Sequence, residues 1–272
     1  MASPKIKSMN DITFGMPPGG LRGKIAVVTG ASRRNSIGAA ICRAFAGCGV
    51  DLLFTHWRPF DRQTWYADED GPASIEEDVR RAGVRVASIE ADLSLIDAPR
   101  RVLEVAVERL GTPSILVNNA THDPPGKRGI DTLDAAELDL TYAVNIRGMA
   151  LLSAEFVRRF PGGSGGRIIN LTSGQSLGPM PDSLAYATTK GAVEAFTASL
   201  APAVAVKGIT VNAVDPGGTD TGWITDAQKT AWSAEMGMGR VGLPEDAARL
   251  VAFLASDAGA WITGQVLHSR GA

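Results

Sequence analysis

Three residues that can move a proton stand close together in the second half of the chain: Ser173, Tyr186 and Lys190. Tyr186 and Lys190 fall in an alanine-rich stretch typical of a helix, and residues four apart share one helix face. A positive charge beside the phenol favours tyrosinate, which predicts a Tyr186 pKa lowered from its usual value of about 10. Such a tyrosine suits general acid/base chemistry on a carbonyl or alcohol oxygen, with Ser173 as a hydrogen-bond donor to the same atom.

A second chemical feature lies near the start of the chain, where a glycine-containing turn follows a short apolar run. Residues 24–29 have the composition of a buried strand, and residues 37–48 that of an amphipathic helix. The turn from Gly30 to Gly38 would bring backbone amides and a helix N-terminus to one place, which suits the pyrophosphate of a dinucleotide. The alternative is a plain turn between a strand and a helix.

The elements that must position these residues alternate regularly along the chain. Parallel neighbours need crossover helices, so this alternation predicts an α/β fold, a single-domain, doubly wound, Rossmann-type parallel sheet in a three-layer arrangement. We expect an N-terminal extension at 1–22, the domain at 23–272 and a long loop at 56–73. Strands are predicted at 24–29, 50–55, 84–90, 115–117, 167–171, 210–214 and 265–268, and helices at 37–48, 74–82, 98–110, 135–160, 185–206 and 246–256.

Composition excludes several other classes of protein. Of 272 residues, 44% are hydrophobic and 21% charged, as in a globular protein with a substantial core. A net charge of −2 gives no reason to expect a nucleic-acid partner, and no apolar run is long enough for a membrane span or resembles a signal peptide. Cys42 and Cys48 lie on different faces of one predicted helix, which argues against a disulfide or a metal site. A cytoplasmic location is expected.

Taken together, the motifs resemble the short-chain dehydrogenase/reductase family over residues 21–271, and the β-ketoacyl-acyl-carrier-protein-reductase-like members most closely. The resemblance implies a catalytic set of Asn145, Ser173, Tyr186 and Lys190. In that set Tyr186 exchanges the proton, Lys190 also holds the nicotinamide ribose, and Asn145 keeps a water for proton relay. The Tyr-x3-Lys pattern alone arises often by chance, but here it occurs with the other motifs in the family's order.

The same resemblance implies a cofactor site. The loop after the first strand departs from the family pattern, because it is two residues longer and has Ser36 where a glycine is usual, as in the enoyl-reductase branch. Thr121 likewise replaces the glycine of the Asn-Asn-Ala-Gly motif. The predicted cofactor contacts are Gly30, Ser32, Arg33, Arg34, Ser36, Ile37, Gly38, Arg58, Asp92, Leu93, Asn119, Ala120, Tyr186, Lys190, Pro216, Gly217, Thr219 and Thr221.

Charge predicts which nicotinamide cofactor is bound. A carboxylate at the end of the second strand would hold a ribose 2′-hydroxyl, but no acidic residue follows that strand until Asp61. Arg33, Arg34 and Arg58 stand nearby, and the planar guanidinium suits a phosphate. The sequence therefore favours NADP(H) over NAD(H), with solvated surface arginines as the alternative interpretation.

The segment about 218–240 corresponds to the family's substrate loop and carries Trp223, Trp232, Met236 and Met238. These side chains would form an apolar lid, or else pack a helix pair onto the core. His122 is expected either to line the substrate cleft or to lie on the surface.

Three functions remain open at this level. The leading one is reduction of a carbonyl, or oxidation of an alcohol, by hydride transfer with a small-molecule substrate. The enoyl-like loop suggests reduction of a C=C or C=N bond instead, although that branch places six residues between the tyrosine and lysine and this chain has three. The third is a non-catalytic dinucleotide-binding regulator. The family resemblance also implies a homotetramer or homodimer.

Overall fold

The fold is one parallel sheet with helices on both faces, as seen in a computed structural model that describes residues 19–63, 68, 70–124, 126 and 128–271. Within these residues the sheet has seven strands in the order β3-β2-β1-β4-β5-β6-β7, all parallel. The strands are β1 Ile25–Val28, β2 Asp51–His56, β3 Val86–Glu90, β4 Ile115–Asn118, β5 Gly166–Leu171, β6 Ile209–Asp215 and β7 Val266–His268.

Helices connect these strands. They are α1 Ile37–Gly47, α2 Arg58–Arg62, α3 Gly71–Arg81, α4 Ala98–Arg109, α5 Ala135–Tyr142, α6 Met149–Arg159, α7 Leu184–Val204, α8 Asp226–Glu235 and α9 Pro244–Ala255. Strand order reverses between β1 and β4, so their carboxyl ends open a crevice between them, which is where open α/β sheets bind ligands.

Two apolar cores hold the helices against the sheet. On one face α1 packs against α9 and α3, with Ile41, Phe45 and Val251 fully buried. On the other face α4 packs against α6, with Leu103 and Phe156 in the core. Burying a large aliphatic or aromatic side chain contributes roughly 1.5–3 kcal/mol, so both faces fix the sheet that carries the site.

The helical segment from α5 to α6 contains a wider turn. Residues Ala143–Gly148 are π-helical and join α5 to α6 without a break. Asn145 lies in this turn and is buried. Single π-helical turns inside α-helices occur frequently at functional sites, and this one contains a residue of the predicted catalytic set.

The structure confirms the predicted fold class and most of its elements. It differs at 56–73, where His56 belongs to β2, α2 forms and α3 begins at Gly71, while residues 64–67 and 69 lie outside the described residues. The helix α8 was not predicted as a separate element. Leu21 is buried in the core although it falls in the predicted extension, and residues 1–18 of that extension lie outside the described residues.

Two further predictions concern cysteines and membranes. Cys42 and Cys48 are buried free thiols. In the part of the chain that the structure describes, no helix combines the length and apolarity needed to cross a membrane.

Candidate active site

The phenol of Tyr186 lies between a hydroxyl and an ammonium. Ser173, just after β5, hydrogen-bonds the phenol. Lys190, one turn along α7, has its Nζ 5.4 Å from the centroid of the Tyr186 ring. The same Nζ donates a 2.8 Å hydrogen bond to the carbonyl of Leu171 at the end of β5. The helix spacing thus places the two groups together, and the sheet end fixes the lysine.

The direction of the tyrosine pKa is opposite to the one the sequence predicted. Desolvation by the surrounding residues raises the Tyr186 pKa above its usual value, and the Ser173 hydrogen bond only partly offsets this effect. Lys190 is itself buried, and desolvation lowers its pKa to about 8. A neighbouring cation favours tyrosinate, but in this site the desolvation of the phenol is the largest effect on its pKa.

Asn145 fixes the loop that follows β4. Its Oδ1 accepts a 2.6 Å hydrogen bond from the backbone N–H of His122, and its Nδ2 donates to the His122 carbonyl at 3.1 Å. The same Nδ2 also donates a 3.0 Å hydrogen bond to the hydroxyl of Thr189, which precedes Lys190 on α7. Both N–H donors of the amide are therefore used to connect the loop, the π-helical turn and α7, and the predicted water relay stays a prediction.

The turn after β1 is tied to the end of β4 by Asn119. Its Nδ2 donates to the carbonyls of Thr29 and Gly30 at 2.8 and 2.9 Å. Gly30 has a φ of 75°, and a Cβ there would come within 2.6 Å of the Ala120 backbone, so glycine is required. Ser36 caps α1 by accepting from the Ala39 N–H at 3.1 Å.

Ser173 and Tyr186, together with the turn after β1 and Asn119, face one cavity of about 880 Å³ that runs along the carboxyl ends of the strands. Its volume is within the range of small-molecule and cofactor sites. The predicted residues that line it are Gly30, Ser32, Arg33, Ser36, Ile37, Gly38, Asp92, Leu93, Asn119, Ala120, Ser173, Tyr186, Pro216, Gly217, Thr219 and Thr221. The predicted residues Arg34, Arg58, Asn145 and Lys190 are not in its lining, and Lys190 lies beneath Tyr186.

Comparison with known proteins assigns the family. The family profile described as Enoyl-(Acyl carrier protein) reductase matches residues 30–271. The uncharacterized oxidoreductase YjdA of Bacillus subtilis is 49% identical, covering 91% of this chain and 96% of the relative. The 3-oxoacyl-(acyl-carrier-protein) reductase FabG of Pseudomonas aeruginosa is 34% identical, covering 92% and 97%. A short chain dehydrogenase from Burkholderia cenocepacia in complex with NADP has a TM-score of 0.81 and 31% identity, covering 92% and 98%.

The chain belongs to the short-chain dehydrogenase/reductase family. It is an oxidoreductase, and its sheet with flanking helices matches the structures of other short-chain dehydrogenases/reductases, a family that binds nicotinamide dinucleotides. The resemblance drawn from the sequence is confirmed.

The chemistry of the lining fits a nicotinamide dinucleotide. The N-terminus of α1 borders the cavity at Ser36 and Gly38, where a helix dipole favours a phosphate. His56, at the end of β2, also lines the cavity, and its Nδ1 is buried without a hydrogen-bond partner in the structure as described. A buried polar atom without a partner is costly, and a bound ligand would supply one.

The three arginines predicted to bind phosphate all have acidic partners. Arg33 lies 3.6 Å from Asp61 and donates to the Thr221 carbonyl at 2.9 Å. Arg34 bonds Asp68 at 3.1 Å, and Arg58 is 3.6 Å from Glu90. Among them Arg33 alone lines the cavity.

The position of Asp61 at the cavity could not be predicted from the sequence. The short helix α2 returns it to the turn after β1, where it is buried, hydrogen-bonds Ser32 and borders the cavity. Burial raises the pKa of Asp61, while Ser32 and Arg33 act against that rise. Its position five residues beyond β2 did not indicate that the chain turns back there.

Asp123 is a second residue that the sequence analysis missed. It lines the cavity close enough to Lys190 and Tyr186 to change the pKa of each. Desolvation raises the pKa of Asp123 to about 6, against the opposing effects of Lys190 and Arg128. A carboxylate three residues beyond Ala120, in the loop that follows a predicted strand, was the signal that could have identified it.

The predicted substrate loop covers the other end of the cavity. Trp223 borders the cavity, donates from Nε1 to the Thr219 carbonyl at 3.0 Å, and meets Trp232 edge-on with centroids 5.4 Å apart. The helix α8 contains no buried residue, so it does not pack onto the core. Trp232 and Met236 border a smaller cavity of about 370 Å³ together with the C-terminal residues Ser269, Arg270 and Gly271.

His122 lines the cavity, which is one of the two positions that the sequence left open for it. Its ring packs at a tilt against Phe60 of α2, with centroids 5.3 Å apart. The segment after β2 therefore extends beyond the turn after β1 and reaches the catalytic side of the cavity.

Proposed function

We propose that this protein interconverts a carbonyl and an alcohol by hydride transfer with NADP(H), using Tyr186 as the general acid/base. The observation that carries the proposal is the meeting of Ser173, Tyr186 and Lys190 at the carboxyl end of β5, facing the cavity that the turn after β1 also borders. The family membership supports oxidoreductase chemistry, and Tyr186 lies next to both Ser173 and Lys190, two other residues of the predicted catalytic set.

In the direction of reduction, the carbonyl carbon would accept a hydride, which a bound reduced nicotinamide would supply. Tyr186 then gives its phenolic proton to the carbonyl oxygen, and Ser173 donates a hydrogen bond to that oxygen as negative charge develops on it. The raised pKa of Tyr186 keeps the phenol protonated at neutral pH, which suits this role. Oxidation of an alcohol is the reverse of these transfers.

Lys190 stabilises the tyrosinate left after proton transfer. Its Nζ lies against the Tyr186 ring and uses one donor on the Leu171 carbonyl, so two N–H bonds remain for a ribose and for the phenolate oxygen. With a pKa lowered to about 8, the amine is still mostly charged at neutral pH. Asn145 holds both α7 and the loop after β4 in place around this group.

The preference for NADP(H) rests on Arg33. It is the arginine that lines the cavity beside the turn after β1, and the residues of β2 from Leu52 to His56 carry no carboxylate to hold a 2′-hydroxyl. Asp61 opposes a phosphate, but its hydrogen bond with Ser32 and its ion pair with Arg33 offset that charge. The Burkholderia relative, solved in complex with NADP, supports the same choice.

The substitution Tyr186→Phe tests the mechanism. We expect kcat for ketone reduction to fall by about 10²–10⁴-fold, the usual contribution of general acid catalysis, while NADPH still binds. Turnover is followed by NADPH absorbance and binding by fluorescence titration. Tyr142→Phe is the matched control, because Tyr142 is exposed on α5. Unchanged turnover in Tyr186→Phe on every accepted ketone would refute the mechanism.

Cofactor preference is tested by kcat/KM for NADPH and NADH in three variants. Arg33→Ala should lower kcat/KM for NADPH more than kcat/KM for NADH. Asp61→Asn should raise kcat/KM for NADPH. Arg81→Ala, on the exposed end of α3, is the control and should change neither value. Equal efficiencies with the two cofactors in the unmodified protein would overturn the NADP(H) assignment.

A second candidate is reduction of a C=C bond, favoured by the enoyl-reductase description of the matching family profile. It differs in the proton acceptor, which would be a carbon atom. An assay with matched 3-ketoacyl and 2-enoyl thioesters separates the two, since the first would be reduced in the leading proposal and the second in this one.

The resemblance also supports assembly into a homodimer or homotetramer. Leu138 and Tyr142 on α5 are large apolar side chains left exposed on the helix that leads to Asn145. Multi-angle light scattering tests this proposal, and a monomer at micromolar concentration would contradict it.

A further inference from the structure

Asp123 is a solvent-exposed charged group on the lining of the active-site cavity that the catalytic scheme does not use. It follows His122 in the first part of the loop after β4 and shares the cavity with Ser173 and Tyr186. None of the described residues donates a hydrogen bond to its carboxylate, whose pKa responds only to desolvation and to nearby charges. A carboxylate that accepts no hydrogen bond from the described residues is an acceptor available to a ligand.

The backbone that carries Asp123 is held in place. Its neighbour His122 is bonded through both its N–H and its carbonyl to the amide of Asn145, and the His122 ring packs on Phe60. Two elements thus fix the position of the carboxylate relative to Tyr186. A ligand group placed against it does not have to order the loop, so most of the interaction energy remains available for recognition.

The charges around Asp123 indicate whether it binds a cationic or a neutral hydrogen-bond donor. Lys190 faces it with one positive charge, and Arg128 forms a 3.1 Å ion pair with Glu137 on α5. Together with Tyr186 these are the titratable groups that influence it or are influenced by it. Since Lys190 already balances Asp123 and Glu137 balances Arg128, the site has no net charge to be neutralised by a cationic substrate. A neutral hydroxyl fits this arrangement.

We propose that Asp123 accepts a hydrogen bond from a hydroxyl group adjacent to the reacting carbonyl, so that the preferred substrates are hydroxyketones or hydroxyaldehydes and the products are vicinal diols. This proposal depends on the carbonyl/alcohol function proposed above. With a pKa near 6, Asp123 is ionised at neutral pH, and its acceptor strength is that of a carboxylate.

A pair of ketones of nearly equal size tests the proposal. 2-Hydroxyacetophenone and propiophenone differ in one group on the carbon next to the carbonyl, which is a hydroxyl in the first and a methyl in the second. The ratio of their kcat/KM values is measured in the unmodified protein, Asp123→Ala and Asp123→Asn. Any difference in intrinsic reactivity cancels when the ratios are compared. We expect the ratio to fall at least about tenfold in Asp123→Ala, the size expected for a hydrogen bond to a charged acceptor, and less in Asp123→Asn.

Asp131→Asn is the matched control, because Asp131 is exposed like Asp123 and lies in the same connection, but is outside the cavity lining. Its ratio should equal that of the unmodified protein. An unchanged ratio in Asp123→Ala, with propiophenone still reduced, overturns the proposal and leaves the carbonyl/alcohol function standing.

A binding measurement separates failure of this inference from failure of the proposed function. In the presence of NADPH the alcohols cannot react, so the dissociation constants of 1-phenyl-1,2-ethanediol and 1-phenyl-1-propanol are compared by calorimetry. A preference for the diol that disappears in Asp123→Ala supports hydroxyl recognition by Asp123 even if neither ketone is reduced, and the lack of reduction then counts against the proposed function alone. Equal binding of the two alcohols to the unmodified protein overturns the proposal.

Discussion

The side-chain amide of Asn145 forms two hydrogen bonds with the backbone of one other residue, His122, at 2.6 and 3.1 Å. A residue in a helical turn thereby holds a loop at the end of the neighbouring strand. The third hydrogen bond of the amide goes to Thr189 on α7, so the loop after β4 and the helix that carries Tyr186 and Lys190 share one anchor.

Replacing Asn145 by Asp should loosen this anchor. The carboxylate still accepts from the His122 N–H but cannot donate to the His122 carbonyl or to Thr189. We expect faster amide hydrogen exchange at His122 and Asp123 and a lower kcat, with KM for NADPH little changed. Thr188→Ala, at an exposed position beside Thr189, is the control. Exchange rates equal to those of the unmodified protein would show that Asn145 does not anchor the loop.

Gly38 and Gly47 lie at opposite ends of α1 and should respond differently to alanine. A Cβ on Gly38 would come within 2.5 Å of the Gly30 carbonyl and 2.8 Å of Asn119 Nδ2, whereas a Cβ on Gly47 meets nothing within 4 Å. We expect Gly38→Ala to weaken NADPH binding at least tenfold and to lower the thermal midpoint. Gly47→Ala should leave binding unchanged and raise stability by roughly 0.5–1 kcal/mol. Similar effects of the two variants would contradict this close approach.

Lys190→Met should make the cofactor-free protein more stable at neutral pH while abolishing turnover. Burial lowers the Lys190 pKa from 10.5 to about 8, so holding the charged form costs about 3 kcal/mol below pH 8. Methionine avoids that cost but loses the hydrogen bond to Leu171, worth about 1 kcal/mol, which leaves a net gain of about 1–2 kcal/mol.

The pH dependence of that gain has a definite sign. Because the folded-state pKa lies below the unfolded-state value, the cost in the unmodified protein is full below pH 8 and disappears as pH rises from about 8 to 10.5. The stability difference between variant and unmodified protein, measured by urea unfolding, should therefore be largest at pH 7 and smallest near pH 10. A difference that grows with pH would be inconsistent with a buried charged lysine.

A buried chain of polar side chains joins β4 and β5 to the helices on one face. Asn118 donates to Ser153 and to Asn170 at 3.0 and 2.8 Å, and Asn170 donates to Thr197 at 2.9 Å. Asn170→Ala would leave polar atoms without partners, which costs about 1–3 kcal/mol for each orphaned group. We expect a loss of about 2–4 kcal/mol in urea unfolding, against less than about 0.5 kcal/mol for the exposed Thr188→Ala.

The spacing of residues along the sequence was enough to predict the features that depend on local geometry. Tyr186 and Lys190 are one helical turn apart, so the sequence alone places them together, and strand–helix alternation was enough to identify the sheet. The turn-back of α2, which brings Asp61 to Ser32, depends on packing between distant parts of the chain and has no periodic signature.

The direction of the Tyr186 pKa shift also could not be predicted from the sequence. The pairing of Tyr186 with a cation was predicted from spacing, but the size of the desolvation effect depends on how many atoms surround the phenol, and only the folded structure supplies that. The same holds for Asp123, whose position relative to Lys190 is set by the Asn145–His122 contacts across elements.

The π-helical turn at Ala143–Gly148 also changes the rotational phase between α5 and α6. In an unbroken α-helix, one residue accounts for about 100° of rotation, so an extra residue in the ladder shifts every later side chain around the axis. Leu138 and Tyr142 can thus point to solvent while Leu152 and Phe156 point to the core, and Asn145 faces the loop between them. Deleting one residue from this turn would restore a regular helix and bring those two surfaces out of register with the sheet.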